Sequence, residues 1–210
     1  MRKKIIITGG LGYIGTELCK LYSGVSWHHE IIVIDNRFIS ERVNQLRNWN
    51  IEFIQGDILD KKLIQKYCHD ADVIHHLAGI TQVPRTKSET TKLQDEKIKE
   101  VGTSGTQNIL DVISEKCKII FPSTHVVYEG IEEIKNDIKE DEDTKPVLSY
   151  SSSKATNENQ LKKSGKNFVI LRLGSVYGYS TDSMRIDIMP NLFSKIASQD
   201  GTLKLFAGGR

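Results

Sequence analysis

The stretch KKIIITGGLGYIG, residues 3–15, runs from a β-branched strand pattern directly into a group of glycines. The isoleucines favour a buried strand, and the glycines end regular structure at once. Gly9, Gly12 and Gly15 form a GxxGxxG pattern ahead of a helix predicted to start near Ile14. Bare backbone at such a turn lets a pyrophosphate approach the free N–H groups and positive dipole end of the helix. The stretch predicts a dinucleotide-binding turn; the alternative is a turn that is merely tight.

A carboxylate follows the second predicted strand, which covers residues 30–34. Asp35 lies about 20 residues after Gly15, a spacing at which a carboxylate accepts hydrogen bonds from ribose hydroxyls. Because a carboxylate repels a 2′-phosphate, Asp35 favours NAD over NADP. The nearby Arg37 weakens that preference.

Short apolar runs alternate with longer amphipathic runs along the chain. The predicted strands cover residues 3–8, 30–34, 51–55, 72–77, 118–121 and 167–173. The predicted helices lie near residues 14–23, 40–48, 60–68, 90–115 and 150–164. This alternation is typical of βαβ units. Right-handed crossovers then favour an α/β fold with a Rossmann-type, doubly wound parallel sheet in the order 3-2-1-4-5-6.

The composition disfavours several classes of protein. A chain of 210 residues with 38% hydrophobic and 27% charged residues suits one globular core. The net charge of +2 gives no support for a nucleic-acid or membrane partner. No apolar stretch approaches the ~20 residues that cross a bilayer. Three widely spaced cysteines, Cys19, Cys68 and Cys117, predict reduced thiols in a cytoplasmic protein.

Two groups of polar residues are predicted to form no functional site. Residues 129–147 are rich in Asp and Glu and are predicted to form a solvated surface loop. The pairs His28–His29 and His75–His76 lack the spacing of metal ligands, since adjacent side chains diverge on helices and strands alike. No metal site is predicted.

The segment YSSSK, residues 150–154, places Tyr150 and Lys154 on one face of a predicted helix. A free phenol has a pKa near 10, which is too high for a base at neutral pH. A cationic lysine nearby, together with the positive nicotinamide ring, would stabilise the phenolate and lower that pKa. The YxxxK pattern is common by chance, but here it follows a predicted nucleotide site and Ser123–Thr124.

These motifs resemble, in their order along the chain, those of extended short-chain dehydrogenase/reductases. Among these enzymes the chain is most similar to the NAD-dependent nucleotide-sugar epimerase/dehydratase family. The matching segments are TGGLGYIG (8–15), VIDN (33–36), GDILD (56–60), HLAG (76–79), FPSTHVVY (121–128), YSSSK (150–154) and LRLGSVYG (171–178). The match is more specific for the fold than for any one reaction.

The resemblance implies roles for individual residues. Thr124 falls where the family keeps an active-site Ser or Thr. Tyr150 would be the general base and acid, and Lys154 would hold the nicotinamide ribose and tune Tyr150. Ser175 stands where family members often use Asn near the phosphates of the sugar nucleotide. The implied NAD-binding residues are Gly9, Gly12, Tyr13, Ile14, Gly15, Asp35, Asn36, Arg37, Asp57, Ile58, Leu77, Ala78, Gly79, Tyr150 and Lys154.

The chain departs from the family at several positions. Dehydratases of the family usually carry Asp-Glu directly after the active-site Thr, whereas this chain has His125 and Val126. This departure disfavours a 4,6-dehydratase, because elimination of water needs the extra acid and base. His125 is interpreted as a partly exposed spectator, with a catalytic role as the alternative. Gly102 stands where the family usually has Asn.

The resemblance also implies a domain division. Residues 1–178 are predicted to form an NAD-binding Rossmann domain, and residues 179–210 a partial carboxyl-terminal substrate lobe with a helix near 187–198. Family members normally continue beyond this point, so we expect a chain that is truncated, either as a fragment or in nature.

The function implied by the resemblance is an NAD-dependent nucleotide-sugar epimerase. It would act at C4 of a UDP-hexose through a transient 4-keto intermediate. Two alternatives stay open: a reductase or dehydratase of nucleotide sugars that uses NAD(P), and a nucleotide-binding protein without catalysis. The resemblance further implies a homodimer formed through the helices around 90–115 and 150–164.

Overall fold

The computed structural model describes residues 1–81, 89–180 and 183–205. Its strands form a parallel sheet in the order β3-β2-β1-β4-β5-β6, so the predicted doubly wound α/β topology is confirmed. The strands are β1 (Lys4–Thr8), β2 (Glu30–Asp35), β3 (Glu52–Gln55), β4 (Val73–His76), β5 (Lys118–Thr124) and β6 (Asn167–Leu173).

The predicted helices are also present, with ends shifted by a few residues. They are α1 (Tyr13–Ser23), α2 (Ser40–Asn48), α3 (Lys61–Cys68), α4 (Lys92–Val112), α5 (Ser149–Lys163) and α6 (Met189–Ser198). A short 3₁₀ helix, His125–Tyr128, follows β5 and was not predicted. In the part of the chain that the structure describes, no helix is both long and apolar enough to cross a membrane. The glycine-containing end of the chain, residues 206–210, lies outside the described residues.

Strand β1 divides the hydrophobic core into two layers. Ile6 packs with Ile74 and Ile119 on one face of the sheet, whereas Ile5 and Ile7 pack with a second cluster on the other face. Successive side chains of a strand point to opposite faces, so a run of three isoleucines supplies both layers. Burying each such side chain stabilises the fold by ~1.5–3 kcal/mol. The sheet thus gives the turn after β1 a rigid support.

Strand β5 is longer than predicted because it continues through Pro122. The residues Lys118–Ile120 pair with both β4 and β6, but from Phe121 to Thr124 the strand pairs with β6. Proline has no N–H to donate, and it is tolerated where one side of the strand has no ladder partner. The extension carries Thr124 beyond the end of β4 at the carboxyl edge of the sheet.

Helices α4 and α5 lie against each other, and Gly102 lies at their contact. A Cβ on Gly102 would overlap the side chain of Ser153, so glycine permits the close approach. The carbonyl of Gly102 accepts a hydrogen bond from Asn157 Nδ2 at 3.0 Å. Gln160 Nε2 bonds the carbonyl of Thr103 at 3.0 Å. This packing gives a physical reason for glycine at position 102.

Candidate functional site

The turn between β1 and α1 requires glycine at more than one position. Gly9 has a φ of +71°, and a Cβ on it would lie 2.7 Å from the backbone of Ala78. A Cβ on Gly15 would lie 2.5 Å from the carbonyl oxygen of Gly9. Gly12 is the N-cap of α1, and within the described residues no side chain caps that helix. The helix therefore presents backbone N–H groups and its positive end, which suits a pyrophosphate.

Asp35 is buried beneath this turn and fastens it to the end of β2. Its Oδ2 accepts a hydrogen bond from the backbone N–H of Leu11 at 3.0 Å. Its Oδ1 accepts from the backbone N–H of Arg37 at 3.0 Å and from its Nε at 3.2 Å. A carboxylate fixed in this way suits ribose hydroxyls. Its pairing with Arg37 also makes that guanidinium less available to a 2′-phosphate.

The loops after β2 and β3 meet beside Asp35. Asn36 Nδ2 donates to Asp57 Oδ2 at 3.1 Å, and Asp57 Oδ1 accepts the backbone N–H of Leu59 at 2.9 Å. Ile58 is buried, and its carbonyl accepts a hydrogen bond from Asn108 Nδ2 at 3.0 Å. The structure therefore brings together Asn36, Asp57 and Ile58, which the resemblance implies as NAD-binding residues.

The two histidines of β4 point to opposite faces of the sheet, as the sequence predicts for adjacent residues. His75 Nε2 lies 2.8 Å from the hydroxyl of Tyr22. His76 is buried between the hydroxyls of Thr8, at 2.9 Å, and Thr106, at 3.0 Å. Burial lowers the pKa of His76 to about 3, so this ring is neutral at pH 7.

The backbone after β4 is held next to the glycine turn. The N–H of Ala78 donates to Thr8 Oγ1 at 3.3 Å, and the N–H of Leu77 donates to the Thr8 carbonyl at 3.1 Å. A Cβ on Gly79 would meet no described atom within 4 Å, so the space beside it is open. Residues 77–79 therefore line the same carboxyl edge as Gly9.

The structure brings Tyr150 and Lys154 to the end of β5. Lys154 Nζ donates to the carbonyl of Pro122 at 2.8 Å and lies 4.4 Å from the ring centre of Phe121. The same ammonium lies 5.9 Å from the ring centre of Tyr150. Thr124 is buried, and its Oγ1 accepts the N–H of Val126 at 3.3 Å. A phenol, an ammonium and a hydroxyl thus lie at the carboxyl end of β5.

The electrostatics of this group differ from the prediction for Tyr150. Lys154 and the nicotinamide ring are together predicted to lower the pKa of Tyr150; the surroundings of Tyr150 in the protein itself raise that pKa, because burial outweighs the nearby cation. That cation is Arg185, which is paired with Asp187 through Nη2 and Oδ2 at 2.6 Å. Burial lowers the pKa of Lys154 to about 8, against the opposite effect of Glu158. No pattern in the sequence pointed to Arg185.

His125 lies exposed immediately after Thr124, in agreement with its interpretation as an exposed residue. Its Nδ1 lies 3.1 Å from the carbonyl oxygen of Leu173, so Nδ1 carries a proton and donates. Ser175 is also exposed, beyond the end of β6. The contact of Ser175 with a sugar nucleotide therefore stays a prediction.

A buried ion pair lies behind Thr124 and Lys154 and was missed by the sequence analysis. Arg172 Nη2 lies 2.7 Å from Glu158 Oε2, and the two side chains are 14% and 3% exposed. Ser123 Oγ donates to Glu158 Oε1 at 2.5 Å. The only signal was the spacing of Glu158, four residues after Lys154 on the same helix face.

The chain after β6 returns to the glycine turn. Tyr13 donates its hydroxyl to the carbonyl of Gly178 at 2.5 Å, and Asn191 Oδ1 accepts the N–H of Gly178 at 3.0 Å. Ser180 Oγ donates to Glu17 Oε1 at 2.6 Å. The phenol of Tyr13 is therefore committed to this contact, and its backbone N–H is the group that faces the turn.

Comparison with known proteins places the chain in a family. The model of the "NAD dependent epimerase/dehydratase family" matches residues 5–210. A CDP-paratose 2-epimerase from Salmonella typhi is 31% identical over 205 residues, which cover 83% of this chain and 58% of that protein. A dTDP-D-glucose 4,6-dehydratase from Dictyostelium discoideum is 29% identical over 197 residues, which cover 84% of this chain and 44% of that protein.

A solved structure of a UDP-glucuronic acid 4-epimerase from Bacillus cereus, in complex with NAD, is also similar. It is a tyrosine-to-phenylalanine mutant with 27% identity and a TM-score of 0.78, matched over 97% of this chain and 65% of that one. The chain thus spans about half the length of the curated relatives it matches. NAD is the cofactor of the family. The resemblance drawn from the sequence is confirmed: the chain belongs to the NAD-dependent epimerase/dehydratase family.

Proposed function

We propose that the chain binds NAD and catalyses epimerisation of a nucleotide sugar, at C4 of a UDP-linked hexose through a transient 4-keto intermediate. The observation that carries the proposal is the placement of Thr124, Tyr150 and Lys154 at the end of β5, on the same carboxyl edge of the sheet as a helix start that suits a pyrophosphate. Similarity to a UDP-sugar 4-epimerase and to a CDP-sugar 2-epimerase supports an epimerase.

The residues of the chain would divide the chemistry as follows. NAD, when bound, supplies the reversible acceptance of a hydride. Tyr150 takes the proton of the sugar hydroxyl and returns it after the keto sugar has turned. Thr124 Oγ1 hydrogen-bonds the reacting oxygen. Lys154 is mostly charged below its pKa of about 8 and stabilises the phenolate of Tyr150.

We assign the NAD site to the carboxyl edge of the sheet. The N–H groups at Gly12, Tyr13 and Ile14 would hold the pyrophosphate, and Asp35 the adenosine ribose. This assignment is supported by the glycine contacts that leave no room for side chains and by the fixed carboxylate. Residues 36–37 and 57–58 would surround the adenine. Leu77, Ala78, Gly79 and Lys154 would line the nicotinamide side.

The assignments to a second lobe and to an assembly remain proposals. We propose that residues 179–205 contribute to substrate binding together with Ser175, supported by the closeness of Arg185 to Tyr150. A homodimer through α4 and α5 is supported by the resemblance. A cytoplasmic location is supported by the three cysteines, which are buried and unpaired within the described residues.

The reaction can be tested by incubating the 210-residue chain with NAD and either UDP-glucose or UDP-galactose. We expect ¹H NMR to show the same equilibrium mixture of the two from either side, without net change in nicotinamide absorbance. A steady change in that absorbance would instead identify a reductase or dehydrogenase. A 4-keto-6-deoxy product would identify a dehydratase, and binding without turnover of any of several UDP-hexoses would identify a nucleotide-binding protein.

The glycine turn gives a separate prediction for NAD binding. In Gly9→Ala the new Cβ meets the backbone of Ala78 and the residue keeps a φ that L-residues rarely adopt. We expect the turn to shift and the Kd for NAD, measured by isothermal titration calorimetry, to rise at least about tenfold.

Gly165→Ala is a matched control for this variant. Gly165 also has a positive φ, of +67°, but it lies in the turn before β6 and a Cβ there would meet no described atom within 4 Å. Both variants strain the backbone, and only Gly9→Ala disturbs the proposed site. An unchanged Kd in Gly9→Ala, or an equal loss in Gly165→Ala, would contradict the assignment.

A further inference from the structure

Helix α5 carries Tyr150 in its first turn, and its own Ser151 caps it in part, because Ser151 Oγ accepts the N–H of Leu148 at 3.2 Å. The N-cap residue is Leu148, whose side chain has no hydrogen-bond acceptor, and the first turn contains no acidic residue. The first N–H groups of a helix have no partner inside the helix, so another part of the chain has to satisfy them. The start of α5 can therefore take a second capping group from outside the helix.

The carboxylate of Glu129 is that group. Its Oε1 accepts the backbone N–H of Leu148 at 2.7 Å and that of Val147 at 2.8 Å. The same oxygen accepts the hydroxyl of Ser151, which is buried directly after Tyr150. One oxygen atom thus holds the residues on both sides of Tyr150.

The acidic loop, residues 129–147, brings Glu129 to the helix. The loop leaves the 3₁₀ helix at Tyr128 and returns at Val147, and two backbone bonds close its base. Gly130 N–H donates to the carbonyl of Lys145 at 2.8 Å, and Lys145 N–H donates to the carbonyl of Val127 at 2.8 Å. The other acidic residues of the loop, from Glu132 onward, are mostly exposed. Glu129 is also exposed, but its carboxylate bonds the start of α5, whereas that of Glu142 pairs with Lys135 within the loop.

The charge of Glu129 suits this place. The N-terminus of a helix is the positive end of its dipole and favours a carboxylate. Loss of solvent would raise the pKa of Glu129, but the hydrogen bonds from Ser151, Leu148 and Val147 outweigh it and lower the pKa. Glu129 is therefore ionised at neutral pH and accepts all three hydrogen bonds.

We propose that Glu129 is a positioning residue for Tyr150: by capping α5 from across the acidic loop, it holds the catalytic phenol in place. The proposal rests on the proposed function insofar as Tyr150 is the base. It assigns a role to a residue that composition alone marked as part of a solvated loop.

The test compares Glu129→Ala with Glu133→Ala, a loss of an exposed acid from the same loop. We expect kcat in Glu129→Ala to fall about fivefold or more, the free-energy scale of a lost N-cap. We expect KM and the Kd for NAD to stay within about twofold, because the glycine turn is untouched. Glu133→Ala is expected to match the wild type.

A rescue variant separates capping from other roles of the carboxylate. In Glu129→Ala/Leu148→Asp the helix gains an acceptor at its own N-cap position, and we expect most of kcat to return. Wild-type kcat in Glu129→Ala would overturn the proposal. A loss of kcat that Leu148→Asp fails to restore, while thermal stability recovers, would also overturn it.

Hydrogen exchange distinguishes this proposal from the proposed function, because it does not need turnover. Amides of residues 149–153 are expected to exchange faster in Glu129→Ala and to regain protection in the rescue variant. If exchange responds in this way but the chain turns over no sugar, the capping stands and the proposed function fails. If the chain is active and neither exchange nor kcat responds, the capping fails and the proposed function stands.

Discussion

Tyr150→Phe is expected to abolish epimerisation, with a fall in kcat of ~10²–10⁴-fold, the contribution of a general acid–base group. The substitution removes one oxygen and keeps the ring, so the packing at the end of β5 is preserved. Because the glycine turn and Asp35 lie on other elements, the Kd for NAD is expected to stay within about twofold. The kcat comes from the NMR assay with UDP-glucose and the Kd from calorimetry.

Tyr67→Phe is the matched control for this experiment. Tyr67 lies on α3, where its ring packs against the hydrophobic core. It loses the same oxygen, and we expect its kcat to equal that of the wild type. Turnover by Tyr150→Phe at more than about a tenth of the wild-type rate would remove Tyr150 from the role of base.

The largest effect on stability is expected from Glu158→Ala. This change leaves the guanidinium of Arg172 buried without its partner and removes the acceptor of Ser123 Oγ. Removing one member of a buried ion pair costs about 3–5 kcal/mol of unfolding free energy. Urea unfolding followed by circular dichroism should show this loss as a lower midpoint with an unchanged slope.

The double variant Glu158→Leu/Arg172→Met controls for the charge left behind. Replacing both members of a buried pair by apolar side chains of similar size is often neutral. We expect the double variant to recover most of the lost stability. If it is as unstable as Glu158→Ala, the shape of this region, and not the unpaired charge, determines the loss.

The same pair makes stability depend on pH. Burial would raise the pKa of Glu158, but the hydrogen bonds from Arg172 and Ser123 outweigh it and lower the pKa below the usual glutamate value. The stabilisation is therefore complete above the unfolded-state pKa of ~4.3 and is lost as the pH falls through the lower folded-state pKa. Urea midpoints measured between pH 7 and pH 3 should fall less steeply in Glu158→Gln than in the wild type.

Local sequence pattern was sufficient for the fold and for the turn that follows the first strand. The run Ile5–Ile7 predicted the first strand, and Gly9 predicted the turn after it. Both predictions were possible because the burial of a strand and a positive φ depend on single residues and their neighbours. The spacing of Tyr150 and Lys154 predicted their shared helix face for the same reason. Their meeting with the end of β5 required the resemblance, since it depends on the topology of the whole sheet.

The parts that escaped prediction are contacts of two glutamates with residues that are not their neighbours in the sequence. Glu129 meets Ser151 across a loop of acids that resembles any solvated surface, and Glu158 meets Arg172 in the interior. Most charged side chains lie in solvent, so composition gives no reason to single these out. The direction in which the protein shifts the pKa of Tyr150 escaped prediction for a similar reason. The spacing of residues identified a nearby cation but gave no measure of how deeply Tyr150 is buried.

The hydrogen bond between Tyr13 and Gly178 attaches the chain after β6 to the turn between β1 and α1. Tyr13 of the glycine turn bonds Gly178 and Glu17 of α1 bonds Ser180, so the start of the segment that leads to α6 is attached at two points. Loss of the Tyr13 hydroxyl alone would therefore leave the segment attached to α1 through Ser180 and Glu17.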